Sequence, residues 1–427
     1  MRLNLLTALA LFLASSAEAQ NIDQLINKKE VERIERILSS DKMEGRKTFS
    51  PGIEKAGDFI ASEFKAAGLQ TWKGTSNFKQ SFEMIQAKPA GISGSVNQKP
   101  VDEKNVMAFT SKAQLHVTQN SGFETATIKP GENLIREAFK YISSGKNFLV
   151  RVDTSFAGTF SRLSRLKGQT FKSENSAVFV LTPETVNAYD ITATHQINSM
   201  SLANIVGVLP GKGKPNEYVI FSSHYDHLGT GKPVDGDSIF NGANDDAAGS
   251  TAVIMLARYF KALGNNERTL VFATFTAEEI GGFGSQYFSK QFDSSTVMAM
   301  FNIEMIGTDS KWGKNSAYIT GYEKTNMGET LAKNLEGTGF TFYPDPYPDQ
   351  QLFYRSDNAT LARLGVPAHT ISTSKMDSEK FYHTVNDEIE TLDMENMAMI
   401  IKAIALSSKS IVGGTDTPSR VDTKLLR

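Results

Sequence analysis

The sequence predicts an α/β protein: a three-layer αβα core built on a mixed, mostly parallel sheet, interrupted by an inserted β-rich domain. Three observations carry this. From Ala203 onward, short apolar strands alternate with helical stretches, the pattern of a sheet covered by helices. Several of those strands run into histidine or carboxylate, and the carboxyl ends of strands are where the sites of open α/β sheets assemble. Residues 88–201 break the alternation with short strand-like segments set among Gly, Ser and Thr.

Taken in order, residues 1–19 read as a cleaved secretory signal. Arg2 is followed by an apolar core and by Ala17-Glu18-Ala19, which places the mature start near Gln20 and the product in the periplasm or outside the cell. The apolar run is shorter than the roughly 20 residues that a membrane span needs, so no membrane insertion is expected. Residues 20–87 open the core domain. Val31, Ile34, Ile37 and Leu38, then Ala56, Phe59, Ile60, Phe64 and Leu69, recur at helical spacing, with turn chemistry over 39–52 between them. Residues 88–201 form the insertion, with strands expected over 113–118, 147–152 and 177–181. Its histidines, His116 and His195, stand alone and read as structural. Residues 202–412 return to the core, ending in a long amphipathic helix, and 413–427 read as a flexible tail.

Composition narrows the chemistry. The chain has 427 residues, 40% hydrophobic and 22% charged, with a formal net charge of −2, which is ordinary for a globular protein. Such a balance offers no electrostatic case for nucleic acid or anionic membranes as partners. There is no cysteine, so disulfides, thiolate metal sites and cysteine nucleophiles are excluded. Any transition metal must rest on carboxylates and the six histidines.

The stretch 218–249 is where that chemistry gathers. YVIFSSHYDHLG is a buried strand that delivers His224, Tyr225, Asp226 and His227 at its end, and NGANDDAAG turns into a helix. The strand at 269–275 runs into Thr276-Ala277-Glu278-Glu279, the one at 297–303 into Glu304, and Tyr382-His383 follow much later. Histidine and carboxylate at separate strand ends form a metal-ligand pattern. An isolated Glu-Glu pair is ordinarily a solvated turn, but this one lies between an apolar strand and Gly281-Gly282. Alternation along a strand end would point the two side chains apart, one toward metal and one toward an attacking water.

The ordered segments HYDHLG, GANDDAAG, TAEEIGGFGS, NIEMIG, RSDN and YHTVND resemble the two-zinc exopeptidases that include bacterial leucyl aminopeptidases and glutamate carboxypeptidases (the clan MH metallopeptidases). The opening LSSDKMEGRKTFSPG is similar too, whereas the insertion carries no match. The resemblance implies two Zn²⁺ per chain, peptide substrates and aminopeptidase activity, with the insertion as a lid-like domain. It implies His224, Asp245, Glu279, Glu304 and His383 as ligands. Asp245 would bridge, with His224 and Glu304 on one ion and Glu279 and His383 on the other. Glu278 would be the general base and Tyr382 an oxyanion donor, while Asp226 and Asp387 would orient neighbouring histidines. His227 and His369 have no ligand position in the family pattern: His227 reads as an orienting or surface residue, and His369 as a strand residue near the site.

Two departures stand out. Glu304 occupies a position where aspartate is usual, and Asn358 one where histidine commonly follows Ser-Asp. Asp246 follows Asp245 in a turn where relatives carry a cis peptide, and the family's cis peptide is expected between Asp245 and Asp246. A glutaminyl-cyclase-like or carboxypeptidase-type enzyme on the same fold, and an inactive receptor-like ectodomain, are the competing readings. The complete ligand set speaks against the cyclase and the receptor. The aromatic loop 343–354 and Arg355 are candidates for the substrate pocket.

Overall fold

The computed structural model describes residues 22–427, so the expected signal at 1–19 lies outside the described residues. The chain forms two compact units, the described residues up to Ser81 with Leu202–Arg427, and Phe82–Ser201.

In the first unit, α1 (Lys28–Leu38) starts at Asn27, whose side chain accepts the Glu30 backbone N–H, and buries Val31, Ile34 and Leu38 along one face. Helix α2 (Pro51–Ala66) has proline in its first turn, where the missing N–H costs nothing, and buries Ile53, Ala56, Ile60 and Phe64. The sheet is built from β1 (Tyr189–Leu209), of which 205–209 pair here, β2 (Lys214–His224), β3 (Arg268–Phe275), β4 (Val297–Ile303), β5 (Ser316–Ile319), β6 (Thr341–Pro344) and β7 (Ala368–Ser372). Their spatial order is β6-β5-β7-β4-β2-β3-β1. The β6–β5, β7–β4, β4–β2 and β2–β3 pairs are parallel, while β5–β7 and β3–β1 are antiparallel.

The central strands are apolar on both faces because helices cover both. Val219 and Phe221 of β2 face one core with α1, α2, α3 (Ala248–Leu263), and, further along the chain, the helices Met327–Asn334 and Met394–Ser407. Ile220 faces the other core, with Phe288 of α4 (Phe283–Ser289) and Leu361 of the helix Asn358–Ala362. Phe221 stacks on Phe260, Phe272 and Phe301 at centroid distances of 5.3, 5.6 and 4.9 Å, which ties β2, β3, β4 and α3 at the centre of the sheet.

The terminal segment is docked, contrary to the expected flexible tail. Arg268, fully buried on β3, donates to the carbonyls of Ile411 and Asp416, and Arg420 Nη1 donates to Val297 O at 2.7 Å. The tail's polar composition hid this, because its backbone carbonyls are what the buried guanidinium uses.

The second unit is the mixed, β-rich element read from the sequence. Val106–Phe109 runs antiparallel to Ala177–Leu181, which is parallel to Phe148–Val152, itself parallel to Glu124–Ile128. The helix Leu134–Ile142 packs Leu134 and Ala138 into a core with Ile128, Val150 and Phe179. His116 contacts Asp190 at 2.9 Å, and neither His116 nor His195 joins a group of metal-ligating side chains among the described residues. Among those residues, no helix is long and apolar enough to cross a membrane.

One buried carboxyl gives the first unit a pH signature. Glu35 on α1 is fully buried, accepts a hydrogen bond from the Thr251 hydroxyl at 2.7 Å, and is pushed by burial up to about 8. Its folded pKa lies above the unfolded one, so the unfolded chain ionises first and stability falls as pH rises from about 4.5 to 8. Glu35→Gln is expected to flatten this. Its melting temperature relative to the unsubstituted protein should rise between pH 5 and pH 8, by the equivalent of about 1–4 kcal/mol. A difference that stays constant across those pH values would show that Glu35 is ionised in the fold.

Candidate metal centre

The site is assembled where β2, β3 and β4 end. His224 closes β2; its Nδ1–H donates to Asp226 O at 3.1 Å, which leaves the Nε2 lone pair aimed at Asp245, 3.1 Å away. Asp245 sits in the turn Ala243–Ala247, and the Asp245–Asp246 peptide is cis. Gly242 precedes it at φ 55, and a Cβ there would lie 2.3 Å from Asp245 O and 2.5 Å from His227 Cδ2. Only glycine fits that crossing.

The side chains form two groups whose ligand atoms lie within 4.8 Å of one another: His224, Asp245 and Glu304, and His227, Asp245, Glu279 and His383. Asp245 belongs to both. Its Oδ1 faces His224 Nε2, and its Oδ2 faces His383 Nε2 at 3.2 Å. His383 Nε2 is also 3.2 Å from Glu279 Oε2.

These atoms fit a cation. His224 Nε2, His383 Nε2 and Glu304 Oε2 are buried with no hydrogen bond of acceptable geometry, although carboxylate oxygens stand beside both nitrogens. The donor set is imidazole nitrogen and carboxylate oxygen, the chemistry zinc takes in catalytic sites. The electrostatics call for positive charge as well. Asp245 and Glu279 push His383 up to about 10. Burial opposes the charge of Asp245, yet the close approach of the His224 and His383 imidazoles outweighs that and holds its carboxyl well below the usual range. Burial pushes Glu304 up to about 7, the direction expected of a carboxylate held there without a counter-ion.

Glu278 lies next to these groups and is a member of neither. Burial raises its carboxyl, the His224 charge opposes this, and Glu304, Asp357 and Asp226 add to the rise. The glutamate pair lies on a turn, beyond the end of β3. Ala277 takes φ 60, and Gly281 and Gly282 donate back to Glu278 O, so the tight turn rather than strand pleating separates the two side chains.

Asp226 and Asp387 lie at the site, but their carboxylates grip backbone rather than orient histidines. Asp226 accepts the N–H groups of Glu278 at 3.0 Å and Glu279 at 3.3 Å and the Thr48 hydroxyl at 2.9 Å, while its Oδ1 stays 3.8 Å from His224 Nδ1. Asp387 accepts the N–H groups of Asn244 and Asp245 at 2.8 and 3.0 Å, so it holds the bridging turn and not His383. Tyr382 stacks on His383 with centroids 3.8 Å apart. His369 is a buried strand residue in neither group: its Nδ1–H donates to Thr320 O, Nε2 accepts from Thr325, and burial lowers it to about 4. Asn358 is buried and fully used by Phe353 O, Ala368 O and the Thr370 hydroxyl, which removes it from substrate contact.

Three residues make contacts that the sequence reading does not give. His227, placed there as an orienting or surface residue, is fully buried with Nδ1 2.8 Å from Glu279 Oε1. Asp246 receives the N–H groups of His224, Gly249 and Met305. Arg46 donates to Tyr225 O, Asn241 O and Gly242 O, carbonyls of the two ligand-bearing loops. A cleft lined by Glu304, Tyr382, Met305, Leu352, Arg355 and Ser356, among others, opens beside the centre. Of the aromatic loop, Leu352 reaches it, whereas Tyr343 stacks on Trp312 instead.

An α/β sheet with histidine and carboxylate donors sharing one aspartate, and a further glutamate alongside, makes a candidate site for a pair of metal ions. Residues 204–407 match Peptidase family M28. It is 29% identical over 210 residues to a probable leucine aminopeptidase of Trichophyton verrucosum (strain HKI 0517), covering 47% of this chain and 55% of that protein. It is 27% identical over 274 residues to leucine aminopeptidase 1 of Paracoccidioides brasiliensis (strain Pb03), covering 61% and 66%. The aligned part thus spans about half to two thirds of these relatives' length. Among solved structures, an aminopeptidase from Aneurinibacillus sp. strain AM-1 superposes with TM-score 0.54 at 19% identity, covering 92% of this chain and 95% of that one. BSAP, a zinc aminopeptidase from Bacillus subtilis, does so with TM-score 0.55 at 16% identity, covering 92% and 97%. At these identities the structural likeness establishes the fold.

Proposed function

We propose that this chain is a secreted, zinc-dependent exopeptidase that removes N-terminal residues from peptides, with two Zn²⁺ per chain. The observation that carries the reading is Asp245 shared by two donor groups, with Glu278 beside both. The leucine aminopeptidase relatives support the amino-terminal preference, and the sequence of residues 1–19 supports export.

His224, Asp245 and Glu304 would hold one ion, and Asp245, Glu279 and His383 the other. When bound, zinc supplies Lewis acidity toward the scissile carbonyl and the attacking water. Glu278 takes the proton of that water and delivers it to the departing amine. The hydroxyl of Tyr382, on the cleft wall beside Glu304, donates to the developing oxyanion. The cleft receives the first side chain of the peptide.

Metal analysis of the purified protein, combined with a panel of peptides and aminoacyl-nitroanilides, tests this. We expect two zinc equivalents, cleavage of substrates with a free N-terminus, and no cleavage of their N-acetylated counterparts. Zinc-loaded protein that leaves the whole panel intact would overturn the reading. A single equivalent at saturation would favour a cyclase-type site on the same fold.

A further inference from the structure

The geometry points to His227 as a positioning residue for Glu279: its Nδ1–H holds one carboxylate oxygen so that the other faces His383. This rests on the metal centre proposed above, and it goes beyond it by giving one ligand a dedicated clamp.

The two oxygens of Glu279 have divided tasks. Oε2 is 3.2 Å from His383 Nε2, and Oε1 is 2.8 Å from His227 Nδ1. An ionised carboxylate can only accept, so the hydrogen of this contact sits on Nδ1. The alternative partner, Asp245 Oδ2, is 3.8 Å from Nδ1, beyond hydrogen-bond range. The other ring nitrogen, Nε2, is buried without a partner.

The ring cannot swing away. The His227 N–H donates to Arg46 O at 3.2 Å, and Lys47 bridges the same residue. Gly242 passes so close that a Cβ there would meet the imidazole at 2.5 Å, and His383 closes the other side edge-on, with centroids 5.6 Å apart. The segment His224-Tyr225-Asp226-His227 therefore fixes Glu279 twice. Asp226 takes its backbone N–H, and His227 takes its carboxylate. Glu304 has no histidine on it: the Ser356 hydroxyl is its side-chain partner, and its Oε2 is buried with no hydrogen-bond partner. A ligand already held in place loses less freedom on binding, so the ion at Asp245, Glu279 and His383 is the tighter of the two.

The experiment uses the full mature chain and its His227→Leu and His227→Asn variants. Zinc affinity is read by competition with a chromophoric chelator, and the donor set by the visible spectrum of the cobalt(II) form. Leucine removes the donor; asparagine places an amide N–H near the position of Nδ1. We expect His227→Leu to weaken the tighter ion about 10–100-fold and His227→Asn to stay within a few-fold of the unsubstituted protein, with an unchanged cobalt spectrum. Equal affinity in all three proteins would overturn the clamp. So would loss in both variants with a cobalt spectrum missing one nitrogen donor, which would make His227 a ligand. Should the leucine variant fail to fold, the asparagine variant alone decides, by its affinity and spectrum. An unsubstituted protein that binds no metal would instead remove the metal centre itself.

Discussion

Glu278→Gln is expected to lower kcat about 10²–10⁴-fold, with KM nearly unchanged and the metal content intact. The size follows from the separation of roles on adjacent residues. Glu278 is outside both donor groups, so removing its charge deletes a proton acceptor without deleting a ligand. Its backbone is anchored by Asp226, and glutamine preserves that N–H bond and the side-chain volume. Glu279→Gln makes the contrast, because it replaces a donor atom and should lose activity together with metal. Steady-state kinetics and metal analysis on the same preparations separate the two. If Glu278→Gln lost metal in step with activity, the glutamate would be a ligand. If it kept more than a tenth of kcat, the base would lie elsewhere.

His224, Glu279 and Glu304 are legible in the sequence because they follow the ends of strands that are easy to see. β2, β3 and β4 are buried on both faces and read as continuous apolar runs, so the polar residues that follow each run mark one edge of the sheet. What surrounds the donors was illegible for a different reason. Asp246 binds the N–H of Met305, 59 residues away, and Asp387 that of Asp245, 142 residues away. Bonds from a side chain to remote backbone leave no residue pattern at either end. The partner of Asp226 was misread in the same way: histidines lie nearby in sequence, but its carboxylate reaches a turn 52 residues on. The Glu-Glu pair was placed on a strand because the left-handed residue that starts the turn is alanine, not glycine.

Arg46 lies at the centre of those illegible contacts, and Arg46→Met is expected to destabilise the fold by about 3–5 kcal/mol and to weaken metal binding with it. The guanidinium is buried, with 1% exposure, and bonds only to carbonyls. Nε donates to Tyr225 O at 2.9 Å, Nη1 to Leu38 O at 2.8 Å and Asn241 O at 2.5 Å, and Nη2 to Gly242 O at 2.8 Å. One side chain thus joins the end of α1 to the loop that carries His224, Asp226 and His227 and to the turn that carries Asp245. Methionine fills most of the volume but takes the guanidinium away from these carbonyls; Gly242 O keeps the Ala247 N–H, and each carbonyl left without a donor costs roughly 1–3 kcal/mol before relaxation. The acidic groups around it, Glu35, Asp387, Asp245 and Asp246, all of which act on Arg46 electrostatically, lose the cation they share. Arg46→Lys keeps the charge but offers a point donor in place of the planar fork, so it should fall between the two proteins. Urea denaturation and chelator competition on the three proteins provide the measure. A methionine variant that unfolds at the same urea concentration as the unsubstituted chain and holds zinc equally well would mean that the two loops keep their places without the brace.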